Sequence, residues 1–325
     1  MASSFQLLLC PPTSAPPILP TRSSSRLKLC QTLRCPPREY CTAAAPVFLY
    51  NKQEVPRCCL VRSAEAAVAP ATEGEEEAEL PAGLERDLLP RHVAVIMDGN
   101  SRWARARGLP ASAGHEAGFR ALREMVRMSR QWGIRALTVY AFSTENWLRP
   151  KVEVDFLMML FQRILKDNMN DFLRDGVRVS IIGDSSKLPK SLLKLTKEIE
   201  ETTVNNSVLN LIVAISYSGR SDIVQACRKI AQKVEQGLLG PPDITESVIA
   251  QELETNCSIE YPYPDLLIRT SGEQRLSNFL LWESAYAELY FAKKHWPDFG
   301  EADYAEALLS FQGRKRRFGL RSDTR

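Results

Sequence analysis

The chain has 325 residues, 44% of them hydrophobic and 25% charged, and its formal net charge at pH 7 is +3. This composition is ordinary for a globular protein with a sizeable core, and the mild charge argues against a nucleic-acid-binding role, which needs a basic face with interleaved aromatic residues. No run of eighteen or more apolar residues occurs, so the sequence predicts a soluble domain without a membrane-spanning helix.

Residues 1–70 have the composition of a targeting segment. Residues 1–65 contain eight Lys or Arg against three acidic residues, with many Pro, Ser and Thr and no helical or strand periodicity. A short apolar run ends at Pro11, which argues against a secretory signal, and the opening Met1-Ala2-Ser3-Ser4 resembles chloroplast transit peptides. We therefore expect a disordered transit peptide and a location in the plastid stroma. Mitochondrial import and a merely disordered tail are the alternatives.

Residues 71–87 form an acidic, low-complexity linker that cannot bury much apolar surface, so the folded domain is predicted over 88–325. Six of the eight cysteines precede this domain, which leaves Cys227 and Cys257 within it. The domain therefore needs no disulfide framework. It also lacks the paired Cys or His residues that would predict a zinc site.

The predicted domain alternates apolar runs rich in β-formers with segments of helical periodicity. A helix is predicted over 116–132 with Gly133 as its C-cap, and another is predicted to begin near Val152. The predicted strands, in chain order, are 93–97, 136–142, 177–182, 209–215 and 265–268. This alternation predicts an α/β fold with a mainly parallel central sheet flanked by helices on both faces. Such sheets bind ligands beyond the carboxyl ends of their strands.

Polar loops follow three of the predicted strands. The first contains Asp98, Gly99 and Arg102, which supply a carboxylate for a divalent ion, a close backbone approach and a donor for phosphate oxygens. An ordinary Asp-Gly turn with a solvated arginine is the simpler interpretation of the first loop alone. The loop at 143–150 again combines hydroxyls, a carboxylate, an amide and a guanidinium, so we expect the two loops to face one crevice. In the third loop two arginines lie six positions apart around a glycine turn, and planar guanidinium groups suit phosphate.

From His92 to Gly319 the sequence resembles the cis-prenyltransferase family, which includes undecaprenyl and dehydrodolichyl diphosphate synthases. The resemblance rests on four stretches in the family's order, at residues 92–100, 141–150, 265–278 and 282–291. It implies the family's α/β fold and an Mg²⁺-dependent enzyme that condenses isopentenyl diphosphate with an allylic diphosphate to give a Z-polyprenyl diphosphate. The all-helical prenyltransferases carry Asp-Asp-x-x-Asp motifs, and this sequence contains no adjacent Asp pair.

The resemblance also implies roles for individual residues. Asp98 would be the catalytic carboxylate that positions Mg²⁺ on the departing diphosphate, and Glu288 would reach the metal from the neighbouring region of a dimer. Residues that would hold the allylic diphosphate are Gly99, Asn100, Ser101, Arg102, Trp103 and His115. Residues that would bind isopentenyl diphosphate are Arg269, Arg275, Leu276 and Ser277. The space between would be lined by Ser143, Thr144, Glu145, Trp147 and Arg149.

Asn146 is the proton acceptor that the resemblance suggests, and Glu145 and a diphosphate oxygen are its rivals. A weak acceptor suffices because the proton leaves a carbocation-like centre and is strongly acidic. One departure from the family pattern concerns Ala111, which stands where an arginine commonly precedes the histidine of the Gly-His motif. We expect this change to weaken the grip on the allylic diphosphate or to shift it to Arg105 or Arg107.

Residues 156–161 are apolar over more than one helical turn, so this helix is expected to be enclosed on every side. A buried core helix is the commoner explanation. Our hypothesis is that part of this wall lines a tunnel for the growing chain, so that changing the size of Leu160 or Phe161 would change product length.

A homodimer is expected, because Arg317-Phe318-Gly319 matches a pattern that in family members reaches across the dimer into the active site. The basic residues near this end could instead be solvated or attract anionic lipid weakly, and the product could associate with a membrane surface. A noncatalytic subunit of a heteromeric cis-prenyltransferase is the main alternative, but such subunits lose the Asp-Gly-Asn segment that is present here. A nucleotide-binding α/β protein is disfavoured because no glycine-rich phosphate loop follows any strand.

Overall fold

The computed structural model describes residues 79–257 and 260–318. The predicted transit peptide lies outside the described residues, as do Gly319 and the first part of the predicted linker. The strands are β1 (His92–Ile96), β2 (Ala136–Ser143), β3 (Val177–Ile182), β4 (Leu209–Tyr217), β5 (Leu266–Arg269) and β6 (Glu288–Phe291). The helices are α1 (Asn100–Arg105), α2 (Ala111–Trp132), α3 (Lys151–Arg174), α4 (Lys190–Thr202), α5 (Gly219–Glu235), α6 (Glu246–Glu252) and α7 (Glu301–Gln312).

The six strands form one sheet in the order β3-β4-β2-β1-β5-β6, and every neighbouring pair is parallel. The predicted parallel α/β sheet is thus confirmed. All strands point the same way, so their carboxyl ends and the loops that follow them lie along one edge. The strand β6 was not predicted; all four of its residues are half-buried.

Side chains of successive strand residues pack into two different apolar clusters, which is the direct sign of a sheet covered on both faces. In β1, Val93 and Val95 belong to the larger cluster, which includes buried residues of α2, α3, α4 and α7. Ala94 and Ile96 belong to a smaller cluster that is closed by Phe279 and Leu280.

The helix α2 begins five residues before the predicted start. Its first turn consists of small residues without apolar periodicity, which is why the pattern did not reveal it. Small size is required there, because a Cβ atom at Gly114 would overlap the backbone carbonyl of Asn100. The predicted C-cap is confirmed, since Gly133 has φ 87° in the left-handed region.

The expectation that the 156–161 stretch is enclosed on every side is wrong. Leu157 and Leu160 are buried, but Met159 on the opposite side of the same helix is 61% exposed. An apolar run longer than one turn must place some side chains on the outer face, and single exposed apolar residues are common on protein surfaces.

The folded part begins before the predicted boundary at Leu88. Leu84 is buried in the larger cluster, and the backbone N–H of Glu85 donates to the side chain of Gln312 at 2.9 Å. Gln312 on α7 also donates from its Nε2 to the backbone carbonyl of Gly83 at 3.2 Å. Elsewhere in the described residues Cys227 is a free, exposed thiol, and none of the described helices is both long and apolar enough to cross a bilayer.

Candidate active site

The three polar loops meet at the carboxyl edge of the sheet. Asp98, after β1, accepts a hydrogen bond from Arg269 at the end of β5. Asn278, in the loop that follows β5, donates to Glu145 after β2 at 3.1 Å. The expectation that the loops face one crevice is therefore met, and the parallel strand direction is the reason.

Asp98 is clamped between two guanidinium groups. Arg269 Nη2 donates to Oδ2 at 2.8 Å, and Arg102 Nη2 donates to Oδ1 at 3.0 Å. Burial by itself would raise the pKa of Asp98, but the hydrogen bonds and charges of Arg269 and Arg102 outweigh it and lower the pKa. The carboxylate is therefore ionised at neutral pH.

Glu273 extends this network on its outer side. It accepts from Arg102 Nη1 at 2.9 Å and forms a second ion pair with Arg275. The pKa of Glu273 is lowered, first by its hydrogen bond with Arg275 and then by the charge of that residue. Glu273 lies in a stretch that the sequence analysis singled out, but no role was assigned to it.

Thr270 is a positioning residue that the sequence analysis missed. Its hydroxyl, which is fully buried, accepts from the backbone N–H of Asp98 at 2.9 Å and donates to the backbone carbonyl of Asp98 at 2.7 Å. Ile96 pairs with Arg269 in the parallel register, so the residues just after the two strands lie side by side. A small hydroxyl residue directly after a strand is too common a feature to have been recognised alone.

The turn after Asp98 requires a glycine. Gly99 has φ 107°, and a Cβ atom there would meet the side chains of Ser271 and His295. Those two side chains are joined by a hydrogen bond of 2.5 Å between Ser271 Oγ and His295 Nδ1. The next residue, Asn100, opens α1 and keeps a buried Oδ1 without a hydrogen-bond partner.

Trp103 and Arg107 are held by Asp298. The indole Nε1 of Trp103 donates to Asp298 Oδ1 at 2.7 Å, and Arg107 pairs with Oδ2 at 3.0 Å while lying over the indole ring at 4.2 Å. Arg107 is therefore already paired with an acid, Asp298. Arg105 is exposed and forms no ion pair within the described part of the chain, which makes it the freer of the two candidates to replace an arginine at Ala111.

His115 lies beside a second ion pair. Arg149 Nη1 donates to Glu153 Oε1 at 3.0 Å, and His115 Nε2 is 3.7 Å from the same oxygen, buried and without a hydrogen bond. Burial lowers the pKa of His115, and the charge of Arg149 lowers it further against the opposing effect of Glu153. The imidazole is neutral at pH 7 and has a free position for a ligand. The sequence analysis had not singled out Glu153.

The loop after β2 is a short 3₁₀ helix, Thr144–Leu148, that begins with a capping box. Asn146 Oδ1 accepts from the backbone N–H of Ser143 at 3.0 Å, and Trp147 Nε1 donates to Ser216 at 2.9 Å. Burial would raise the pKa of Glu145, but hydrogen bonds from its own backbone N–H and from Asn278 lower it.

Four further predicted site residues are Ser277, Leu276, Ser101 and Thr144. Ser277 Oγ accepts from Arg269 Nη1 at 2.6 Å, and Leu276 packs on the smaller apolar cluster. Ser101 is half-buried on α1, like Thr144 on the neighbouring loop.

Glu288 is not brought to this site within one chain. It pairs with Leu266 in the sheet register, at the amino end of β5, whereas Arg269 lies at the carboxyl end. Its carboxylate forms an ion pair of 2.7 Å with Arg314. A role for Glu288 beside Asp98 would therefore require a second copy of the chain.

A cavity of about 750 Å³ adjoins the site between α2, α3 and the sheet. Asn100 and His115 line one end, and Leu157, Leu160 and Phe161 contribute to its apolar wall. Part of the predicted tunnel stretch therefore faces a cavity.

The comparisons with known proteins agree with this architecture. Residues 96–319 match the family model described as putative undecaprenyl diphosphate synthase. Cis-prenyltransferase 4, chloroplastic, of Solanum lycopersicum is 57% identical over 81% of this chain and 85% of its own length. Dehydrodolichyl diphosphate synthase 2 of Arabidopsis thaliana is 58% identical over 77% and 80%. The crystal structure of lavandulyl diphosphate synthase from Lavandula x intermedia with dimethylallyl diphosphate superposes with a TM-score of 0.70 at 44% identity, covering 72% of this chain and 99% of that one.

The parallel sheet, the clamped carboxylate and the adjoining apolar cavity thus define an α/β enzyme of the prenyltransferase class. The chain belongs to the undecaprenyl diphosphate synthase family, the cis-prenyltransferases. Membership confirms the predicted fold and reaction class, and it implies an allylic diphosphate substrate and a divalent metal ion.

We predict that Thr270→Val disturbs the Asp98 backbone. The isosteric methyl group removes a donor and an acceptor in a buried position, which should cost about 1–3 kcal/mol of stability. Misplacement of the carboxylate should lower kcat about tenfold or more. Denaturant unfolding and steady-state kinetics would measure both effects, and Thr270→Ser, which keeps the hydroxyl, should retain most of each. Equal behaviour of the two variants would contradict the positioning role.

Proposed function

We propose that this chain condenses isopentenyl diphosphate with an allylic diphosphate, using Mg²⁺, to give a Z-polyprenyl diphosphate. The observation that carries the proposal is the ionised Asp98 carboxylate held between Arg102 and Arg269 at the mouth of an apolar cavity. Charged groups at the mouth suit two diphosphates, and the apolar interior suits an isoprenoid tail.

The allylic diphosphate would lie over the start of α1. The backbone approach at Gly99, the amides that follow it and Arg102 would hold its oxygens, with Asn100, Ser101 and Trp103 around them. His115 has a buried Nε2 with no hydrogen bond, so it could donate to a phosphate oxygen without breaking an existing contact. As the allylic carbon–oxygen bond breaks, these donors stabilise the charge that collects on the departing diphosphate.

Isopentenyl diphosphate would occupy the side of the crevice formed after β5. Arg269 is 3% exposed, and its guanidinium donates to both Ser277 and Asp98. It would therefore link the isopentenyl diphosphate position to the allylic diphosphate position. Arg275 would supply a second guanidinium, with Leu276 beside it. Ser143, Thr144, Glu145, Trp147 and Arg149 would line the space where the new carbon–carbon bond forms.

The donor set fits a magnesium ion. Mg²⁺ is commonly bound by one or two carboxylates together with substrate phosphate oxygens, so it needs no dedicated protein cage. Consistent with this, the described residues contain no group of three or more His, Cys, Asp or Glu suited to a metal, whereas Asp98 is ionised and half-buried. When bound by Asp98 and the diphosphate, the ion would neutralise charge on the leaving group.

The hydrogen bonds of the loop after β2 favour some candidate proton acceptors over others. The oxygen of Asn146 already accepts the backbone N–H of Ser143, which gives this side chain a structural task in the loop. The carboxylate of Glu145 is ionised. Among the described residues outside the loop, only Asn278 donates a hydrogen bond to it. Glu145 or a diphosphate oxygen therefore takes the proton more readily than Asn146.

The cellular site of the proposed reaction is the plastid stroma. Several relatives are named chloroplastic, and the N-terminal composition agrees with a transit peptide over 1–70 followed by an acidic linker over 71–87. Import of a fluorescent fusion of the first 87 residues into isolated chloroplasts would test it, and cytosolic retention would count against it.

The decisive assay incubates the full chain with labelled isopentenyl diphosphate, Mg²⁺ and each starter in turn, from dimethylallyl to geranylgeranyl diphosphate. We expect chain elongation, and we expect Asp98→Asn to lower kcat by about 10²-fold or more because the metal and both arginines lose their shared anion. Asp167→Asn, an exposed carboxylate on α3, is the matched control and should leave activity unchanged. A folded wild-type chain that elongates no starter would favour the noncatalytic-subunit alternative.

The cavity is the proposed tunnel for the growing chain, and its wall allows a paired test. Leu160 is 5% exposed and faces the cavity, whereas its neighbour Met159 is 61% exposed. Leu160→Trp should shorten the product by filling the cavity, and Leu160→Ala should lengthen it. Met159→Trp should leave the length unchanged. Reversed-phase chromatography of the dephosphorylated products would measure this, and identical products from all three variants would contradict the tunnel.

The proposed assembly is a homodimer in which Glu288 serves the partner's site. Tyr286 is 75% exposed and Phe318 is 61% exposed, and the two rings contact each other beside Glu288 on the surface. Exposed paired aromatic residues of this kind suit a subunit interface.

Subunit mixing tests this arrangement. Asp98→Asn and Glu288→Gln homodimers should each be impaired, but a mixed dimer has one site with both residues intact if Glu288 acts across the interface. Mixing and re-equilibration should then restore activity to about a quarter of wild type. No recovery, with dimers verified by sedimentation velocity, would mean that Glu288 does not act in trans.

A further inference from the structure

The cavity connects the two edges of the sheet. The helix α2 starts beside Asn100 at the carboxyl edge and ends just before β2 begins, so it runs antiparallel to the strands. The helix α3 follows the end of β2 and stops just before β3, so it runs in the same direction. The lining of the cavity extends from His115 near the site to Arg174 and Val177 at the amino edge.

The far part of the cavity is bordered mainly by arginines. Three lie at every third or fourth position on the second half of α2, and a fourth ends α3; these are Arg123, Arg127, Arg130 and Arg174. Three acids accompany them in the lining, namely Glu124, Asp171 and Asp175. Each acid is paired with one of these arginines, but Arg130 forms no ion pair with a described residue. The local charge is therefore positive.

Exposed aliphatic side chains occupy the same edge. Leu173 is 46% exposed, Val204 is 48% exposed and Val208 is 44% exposed. The loop that carries both valines is tied to the end of α3, because Asn206 Nδ2 donates to the carbonyls of Phe172 and Val177 at 3.0 and 2.9 Å. We name these three aliphatic residues, together with Arg127 and Arg130 near the end of α2, the amino-edge patch.

We propose that the amino-edge patch docks on an anionic lipid bilayer. Arginines near a bilayer are attracted to anionic headgroups, and exposed aliphatic residues enter the interface between headgroups and acyl chains. A nucleic acid is a poorer fit, because the patch has no aromatic residue on which bases could stack.

The proposed docking also gives the product a route out. An isoprenoid tail that fills the cavity would emerge at the amino edge and pass into the bilayer without crossing water. This second step rests on the proposed function. Docking itself does not, because it concerns the surface of the protein without substrate.

Vesicle co-sedimentation of the full chain tests the charges. The chain should bind phosphatidylcholine vesicles that contain phosphatidylglycerol and bind pure phosphatidylcholine much less. Arg127→Glu/Arg130→Glu should weaken partitioning into the anionic vesicles by about tenfold or more. The control is Lys190→Glu/Lys197→Glu, which reverses the same number of exposed charges on α4. The basic segment 1–65 is present in all variants, so its contribution is common to them.

Depth-sensitive quenching tests the aliphatic part. Leu173→Trp should gain tryptophan fluorescence that brominated lipids in anionic vesicles quench. Val224→Trp on α5 has a similar native exposure of 48% and should show no such gain. Equal quenching of the two variants, or an equal loss of binding in the two double variants, would overturn the proposal. So would a wild-type chain that does not bind anionic vesicles. Activity of the wild-type chain in detergent, without vesicles, reports on the proposed function separately.

Discussion

The site depends on one buried electrostatic contact, the clamp of Asp98 between Arg269 and Arg102. Arg269 is almost fully buried, and a buried cation is costly unless an anion compensates it; removing one partner of such a pair typically costs about 3–5 kcal/mol. The same contact that stabilises the arginine keeps the carboxylate ionised, because it lowers the pKa of Asp98. The stability of the buried arginine and the ionised state of the carboxylate thus come from one arrangement.

The clamp is accurate because the backbone beneath it is held from several directions. Thr270 binds both polar backbone groups of Asp98, and the N–H of Trp296 donates to the same carbonyl at 3.0 Å. Gly99 turns in the left-handed region against Ser271 and His295, where no side chain fits. A charged crevice formed from three loops would otherwise be mobile, since loops have few buried contacts of their own.

A second constraint comes from the direction of the helices. Both α2 and α3 cross the sheet from its carboxyl edge to its amino edge, and the space left between them is lined by Leu157, Leu160 and Phe161 in the middle. The polarity therefore changes from charged at the substrate end to apolar, and then to basic at the far end. A substrate with a diphosphate head and a growing hydrocarbon tail matches this order, because only the tail gains free energy by leaving water.

The sequence alone determined the strand and helix alternation, the edge of the sheet that carries the site, and the residues of the three polar loops, because these depend on local periodicity and on the general rule for parallel sheets. Only the tertiary structure decided which of these side chains touch. It showed that Thr270 supports Asp98, that Asp298 occupies Arg107, that Met159 faces outwards, and that Glu288 lies at the opposite edge from Asp98 within one chain. Such contacts join residues up to about two hundred positions apart, as Arg107 and Asp298 do at a separation of 191. Their geometry follows from strand register and helix packing, which periodicity within a single segment does not contain.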